Sequence, residues 1–317
     1  MRYAGPLVSV VINNYNYGRF LRDAIDSALG QTYPYTEVIV VDDGSTDDSL
    51  EIIAGYGDRI LPILKENGGQ ASAFNVGFAA CHGEWICLLD SDDAWSPEKV
   101  ERVVETARAC PGATLIYHRV RFVLEDLRPT ERLFPAGVFR GDISGRVVRG
   151  GGWWAAAPTS GLCLSRHALR QIGRVPEKDF RICADAYLYC LAPFLGPVCG
   201  MMDCLCQYRH HEDNYFSGTL SRKLDSVNAK LRWRQQFFRT VIARANSRLE
   251  KLRPGVVLDL RRHWDYQLYS YYLGMAGHSS ALRLSWETLR LPGQPSVPAR
   301  LKAAGGLLLH GPRPRLR

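Results

Sequence analysis

The stretch from Glu84 to Asp93, EWICLLDSDD, constrains this chain more than any other. An apolar run bounded by Gly83 on one side and SDDAWSP on the other reads as a strand buried inside a sheet. It ends in three carboxylates, Asp90, Asp92 and Asp93. Like charges packed this closely repel one another unless a cation lies between them. Oxygen-only ligands suit a hard divalent ion, Mg²⁺ or Mn²⁺, which keeps open positions for the phosphates of a nucleotide. The same residues also fit a solvated acidic loop ahead of a helix that starts at Ser96 and Pro97.

The stretch before this strand alternates strictly. PLVSVVINN is a β-branched strand, and the segment after it has Phe20, Leu21, Ala24, Ile25, Ala28 and Leu29 at helical spacing. TEVIVV, SLEIIAGY, ILPILK and NGGQASAFNVGFAACHG continue as strand, helix, strand and helix. Such repetition predicts an α/β fold: a Rossmann-like, mostly parallel sheet with helices on both faces. Ligands of such sheets bind outside the carboxyl ends of the strands. Asn13 to Asn16, Asp42 and Asp43, Asn67 to Gln70, and Asp90 to Asp93 all fall at strand ends, so polar groups converge on one edge. A redox dinucleotide is disfavoured, because the first turn, NNYNYGRF, has no GxGxxG. A nucleotidyltransferase would need a phosphate-cradling glycine loop at the same place, and none is present.

Charge divides the chain. From Ser217 onward there are 19 Lys and Arg against 5 Asp and Glu, a net of +14; the remainder, 21 against 27, carries −6. A basic C-terminal third fits either a solvated helical face or an anionic membrane surface. No nucleic-acid partner is expected, since the front is acidic. Without a long apolar run or a signal-peptide pattern, the expected location is cytoplasmic or peripheral on the cytoplasmic membrane face. The nine cysteines form no CxxC pair and read as buried thiols in a reducing compartment.

Four blocks, VSVVINNYNYGRFLRDAIDSALGQTYP, VIVVDDGSTDDS, ENGGQASAFNVGF and LLDSDDAWSP, together resemble the N-terminal half of family 2 glycosyltransferases of the GT-A fold. The resemblance implies an inverting enzyme that transfers a sugar from a nucleotide diphosphate sugar, most often a UDP-sugar, to a hydroxyl of a glycan, lipid-linked or small-molecule acceptor in cell-surface polysaccharide synthesis. It implies a donor site of Asn13, Tyr15, Asp42, Asp43, Asn67, Gln70, Asn75, Asp90 and Ser91. Tyr15 would lie against the base, Asp43 would accept from it, and Asp92 with Asp93 would hold the metal.

The later chain carries two further blocks of the same resemblance. FRICADAYLYCLAPF resembles the segment that bears the catalytic base; it reads Ala184-Asp185 where the family usually has Glu-Asp, which makes Asp185 the expected base. An Asp at that place also fits a helix N-cap. CQYRHHEDNYF resembles the closing motif, with His211 expected on the diphosphate or metal. Trp153 and Trp154 fit either an acceptor platform or core under a loop. The expected division is a catalytic domain over 1–216 and a basic helical region with a tail over 217–317. A catalytically silent nucleotide-sugar-binding protein is the alternative, because Ala184 removes a carboxylate.

Overall fold

The computed structural model describes residues 5–214 and 227–273. The expected boundary at 216 and the Pro- and Arg-rich tail lie outside the described residues. Two compact units emerge: the first takes the chain up to 134, with 138–142 and 156–210, and the second takes 135–137, 143–155 and the chain from 211 onward.

The first unit begins as the alternation predicts. Strands β1 (Val8–Asn14), β2 (Thr36–Asp42), β3 (Leu61–Leu64) and β4 (Trp85–Asp90) are parallel, in the order β3-β2-β1-β4. Between them run α1 (Gly18–Leu29), α2 (Ser49–Ala54) and α3 (Gln70–Ala80). Helix α1 buries Phe20, Leu21, Ala24, Ile25 and Ala28, the stripe seen in the sequence. β1 and β4 are buried on both faces, as a central parallel strand must be.

The sheet continues beyond β4 but changes direction. β5 (Ala94–Trp95) and α4 (Lys99–Ala109) lead to β6 (Leu115–Val123), β7 (Pro129–Phe134) and β8 (Arg140–Gly141). Strand β9 (Leu162–Ser165) lies between β4 and β6 and is antiparallel to both; β10 (Val198–Arg209) pairs parallel with β6 and antiparallel with β5. The sheet of ten strands is therefore mixed and not strictly parallel, while the fold class is the one expected, with β1 to β4 parallel and helices flanking the sheet. The antiparallel insertion arises because β9 is a short return strand, too brief to be recognised by periodicity. Helices α6 (Arg166–Ile172) and α7 (Asp185–Leu191) complete the unit. Helix α4 starts at Lys99, two residues later than Ser96 and Pro97 suggest.

The cysteine expectation also needs correction. Cys110, which follows α4, and Cys199 on β10 form a disulfide, joining positions 89 residues apart. No spacing motif could have signalled a pair so distant in sequence.

The second unit contains α5 (Ser144–Arg149), α8 (Val227–Leu252) and α9 (Trp264–Tyr272). Helix α8 buries Leu231, Phe238, Val241, Ile242, Ala245 and Leu249 along one side and exposes Arg232, Arg244 and Lys251 on another. Gln235 donates to Ser270 Oγ at 2.6 Å and Arg239 donates to Tyr266 Oη at 2.6 Å, which fixes α8 against α9. Among the described residues no helix is long and apolar enough to cross a membrane.

Candidate active site

Strand register determines which side chains meet. β1 sits between β2 and β4 so that Asn14 lies beside Asp42 and Asn13 beside Asp90. Asn14 Nδ2 donates to Asp42 Oδ2 at 2.8 Å, and Asn13 Nδ2 donates to Asp90 Oδ1 at 3.1 Å. The carboxyl edge of the parallel strands thus gathers the residues singled out in the sequence. Asn13 Oδ1 and Ser91 Oγ are buried without a protein partner.

The two carboxylates after β2 serve their own loop as well as the edge. Asp42 Oδ1 accepts from Gly44 N and Ser45 N, a side-chain turn of the kind Asp favours. Asp43 accepts from Lys65 Nζ at 2.6 Å, from Gly68 N at 2.9 Å and from Gly69 N at 2.6 Å. Gly69 has φ +88°, and a Cβ there would lie 2.6 Å from Arg181 Cα, so only glycine lets the backbone reach both neighbours. Asn67 is exposed and accepts from the Arg181 guanidinium. Asn75 is buried and spends its amide on Val175 and Glu177. Tyr15 keeps 48 % of its surface exposed at the mouth of this edge.

The acidic loop itself is enclosed. Asp90, Asp92 and Asp93 each offer a carboxylate oxygen within 4.8 Å of the others. Asp93 Oδ1 accepts from Arg209 N at 2.8 Å, and Asp93 Oδ2 accepts from Ser160 Oγ at 2.6 Å. Burial, followed by the charges of Asp92 and Asp185, pushes the Asp90 carboxyl up to about 7. Burial and the charges of Asp92 and Asp90 push Asp93 well above the usual carboxylate range. Three carboxylate oxygens so close together fit a hard divalent cation and would suit no soft one.

Asp185 reaches the same neighbourhood from α7. It is the first residue of the helix, with Ala184 in the N-cap position and Cys183 before it held at φ 52°, a strained conformation for a residue with a Cβ. Asp185 Oδ1 accepts from Ala186 N at 3.0 Å. Burial pushes its carboxyl up to about 6, against hydrogen bonds from Thr159 and Ala186 that favour the charge. A half-buried carboxyl poised near neutrality suits a general base.

Gln70 joins the two groups. Its Nε2 donates to Asp90 Oδ1 at 3.3 Å, and its Oε1 accepts from Ala184 N at 2.8 Å. One residue that sequence reasoning passed over contributes as much: Ser160 Oγ accepts from Asp90 N at 3.0 Å and donates to Asp93 Oδ2 at 2.6 Å. The only signal was a Thr-Ser pair after a proline in APTSG, which reads as an ordinary turn.

The remaining expected residues lie in the second unit. The His211 ring is buried within its own turn, with Asp213 N at 3.2 Å from Nδ1 and Asn214 Nδ2 at 3.1 Å from Nε2. Trp153 Nε1 donates to Asp265 Oδ2 at 3.0 Å, and Trp154 is only 4 % exposed.

Comparison with known proteins settles the class. Residues 9–155 match the family model described as glycosyl transferase family 2. An uncharacterized glycosyltransferase of Nostoc sp. is 33 % identical over 278 residues, covering 84 % of this chain and 82 % of that protein. The chain belongs to glycosyl transferase family 2. The backbone of this family 2 chain is similar to that of Staphylococcus aureus TarS in complex with UDP-GlcNAc, with TM-score 0.57 and 16 % identity over 94 % of this chain and 89 % of TarS. It is also similar to the mannosyltransferase PcManGT of Pyrobaculum calidifontis in complex with GDP-Man and Mn²⁺, with TM-score 0.56 and 18 % identity over 96 % and 86 % of the two chains. The fold of this family 2 glycosyltransferase is therefore the GT-A type expected.

Proposed function

We propose that this glycosyltransferase is a metal-dependent, inverting enzyme that takes a UDP-sugar as donor and a glycan, lipid-linked or small-molecule hydroxyl as acceptor, in the synthesis of a cell-surface polysaccharide. The observation that carries the reading is the link that Gln70 makes between a strand-end carboxylate and the start of the Asp185 helix: its Nε2 donates to Asp90 Oδ1 at 3.3 Å and its Oε1 accepts from Ala184 N at 2.8 Å, next to Asp185. The donor nucleotide lies along the carboxyl edge of β1, β2 and β4. Tyr15 stacks on the base, where stacking contributes about 1–3 kcal/mol. Asp43 accepts from the base beside Lys65, with Asp42 and Asn67 in support. Asn13, Gln70, Asp90 and Ser91 line the phosphate and ribose side, while Asn75 holds the loop at Val175 in place.

Asp92, with Asp90 and Asp93 beside it, would hold Mg²⁺ or Mn²⁺. When bound, that ion supplies positive charge against the charge that grows on the departing nucleoside diphosphate. Asp185 accepts the proton of the acceptor hydroxyl as its oxygen attacks the anomeric carbon from the face opposite the leaving group, which inverts the configuration there. Trp153, which keeps some surface, is the better of the two tryptophans for an acceptor ring; Trp154 serves packing. His211 belongs to the diphosphate in this reading. The catalytic part is assigned to 1–216, and 217–317 is the basic region, whose exposed Arg232, Arg244 and Lys251 would meet anionic lipid.

The test is nucleoside diphosphate release from UDP-, GDP- and dTDP-sugars in the presence of Mn²⁺. Release from a UDP-sugar that stops in Asp185→Asn supports the reading. Donor binding without release from any of them would favour a silent binding protein. Co-sedimentation with anionic but not neutral vesicles supports the membrane contact, and equal binding to both would remove it.

A further inference from the structure

We propose that Cys87 and Cys163 are a site of oxidative modification: hydrogen peroxide joins them as a second disulfide, which staples β4 to β9 beneath the acidic loop. The inference is independent of the roles given to Asp185 and to the metal ligands.

Register brings the two thiols together. β9 runs antiparallel to β4 with Trp85 opposite Ser165, Ile86 opposite Leu164 and Cys87 opposite Cys163. Arg166 N donates to Glu84 O at 2.8 Å, which makes Glu84 and Arg166 a hydrogen-bonded position of the ladder. Such positions alternate with non-hydrogen-bonded ones, so Cys87 and Cys163 fall on a non-hydrogen-bonded position, where opposite Cα atoms are roughly 4.5 Å apart and side chains stand closest. A disulfide bridges Cα separations of about 4.4–6.8 Å, a range that includes this one. The side chains are turned toward each other, with the sulfurs 2.9 Å apart. Both are free thiols, 0 % and 1 % exposed. Neither strand has to shift for the bond to form.

The surroundings favour the reaction. Cys87 and Cys163 belong to the core cluster that also holds Trp95. Lys99 Nζ lies 3.5 Å from the Trp95 ring centre and is buried without a hydrogen-bond partner among the described residues; its charge favours the Cys87 thiolate, the form that attacks. The thiolate sulfur bonds to one oxygen of hydrogen peroxide as the O–O bond breaks, and the leaving hydroxide takes a proton and departs as water. The Cys163 sulfur then attacks the Cys87 sulfenic acid: the S–S bond forms, the S–O bond breaks, and the Cys163 proton leaves with the hydroxide as a second water. The two thiols give up two electrons in all, and the peroxide accepts them. β9 is four residues long, Leu162–Ser165, and a strand so short opens at a fraction of the global cost, which admits a molecule little larger than water.

Asp90 is three residues beyond Cys87, and Ser160 is three residues before Cys163. Ser160 Oγ accepts from Asp90 N at 3.0 Å and donates to Asp93 Oδ2 at 2.6 Å, so the disulfide closes a covalent ring across this contact. It also joins positions 76 residues apart and restricts the unfolded chain accordingly.

The full chain, purified without oxidant, is treated with hydrogen peroxide at neutral pH, unfolded in iodoacetamide, digested and mapped by mass spectrometry, beside Cys163→Ala and Cys87→Ala. Wild type should yield a peptide pair linked through Cys87 and Cys163 and should melt about 4 °C or more above the untreated protein. Peroxide should give neither alanine variant such a rise, and the wild-type map decides even where a variant fails to fold. Cys183 and Cys204, which are partly exposed, report by their own oxidation that the peroxide was active. Three results overturn the proposal: Cys87 and Cys163 both alkylated while those two are oxidised, Cys87 joined to a different cysteine, or a linked wild type with an unmoved melting temperature.

Discussion

Arg209 Nε donates to the main-chain carbonyl of Asp92 at 2.8 Å, which fastens the middle of the acidic loop to the end of β10. Its guanidinium also pairs with Asp23 Oδ2 at 2.6 Å and lies 4.5 Å from the centre of the Phe20 ring, and the residue is 3 % exposed. Replacing it with Met should cost about 3–5 kcal/mol, since buried acceptors and a carboxylate lose their donor at once. Arg209→Lys should recover little, because a single ammonium cannot span the same acceptors. Urea midpoints of the three proteins measure this; a wild-type midpoint for Arg209→Met would show that the clamp contributes nothing.

Asp185 should make the protein less stable at neutral pH than Asn would. Its folded pKa is raised from 3.8 to about 6, so the stability tied to the protonated form is fully present below pH ~4 and is lost as pH rises through about 6. Above that window Asp185→Asn should be more stable than wild type by ~1–2 kcal/mol, and near pH 4 the two should converge. Turnover should fall by roughly 10²–10⁴-fold in the same variant. Thermal melts from pH 4 to 8 beside single-turnover rates test both halves, and equal melting temperatures throughout would contradict the raised pKa.

Metal dependence should appear in binding before it appears in turnover. Calorimetry with UDP should give at least tenfold weaker affinity in EDTA than with Mn²⁺, a loss of about 1.4 kcal/mol or more. Asp92→Ala should bind UDP equally with and without Mn²⁺. If the wild-type affinity ignores EDTA, the carboxylates do not bind nucleotide through a cation.

A second pH effect should come from behind the site. Cys87 on β4 and Cys163 on β9 are opposite each other with their sulfurs 2.9 Å apart, and the Lys99 ammonium lies 3.5 Å from the Trp95 ring centre. Burial pushes the Cys87 thiol up, but the hydrogen bond from Cys163 and the charge of Lys99 outweigh it and bring the thiol down from 9.0 to about 6. A depressed folded pKa contributes stability that is present above pH ~9 and lost as pH falls through about 6. Wild type should therefore gain stability between pH 6 and 9 relative to Cys87→Ala, and Lys99→Met should abolish the gain. Urea unfolding in reductant at three pH values would reveal it; parallel curves would rule out a folded-state thiolate.

The front of the molecule was legible because its signals are local. Each of β1, β2 and β4 ends in polar residues adjacent in sequence, and register alone brings Asn13 to Asp90 and Asn14 to Asp42. The later strands were harder to read, since β9 inserts between β4 and β6 through pairings that span some 50 to 80 residues. Ser160 was missed for a related reason. Its contribution depends on which carboxylates it faces, and nothing in APTSG distinguishes it from any turn. Asp42 and Asp43 sit between these cases: their position was evident, but the loop amides they accept from depend on how the fold places residues 44, 45, 68 and 69.

Asp93 accepts from Ser160, 67 positions downstream, and from Arg209, 116 positions downstream. A fragment cut at residue 155, where the family match ends, would hold every acidic residue of the loop and neither of these partners. Strands β9 and β10, which cover β4 and β6, would be missing as well. The recognisable motif and the foldable unit are thus different lengths of chain. On the ribosome, the acidic loop must wait for Arg209 to emerge before it can close.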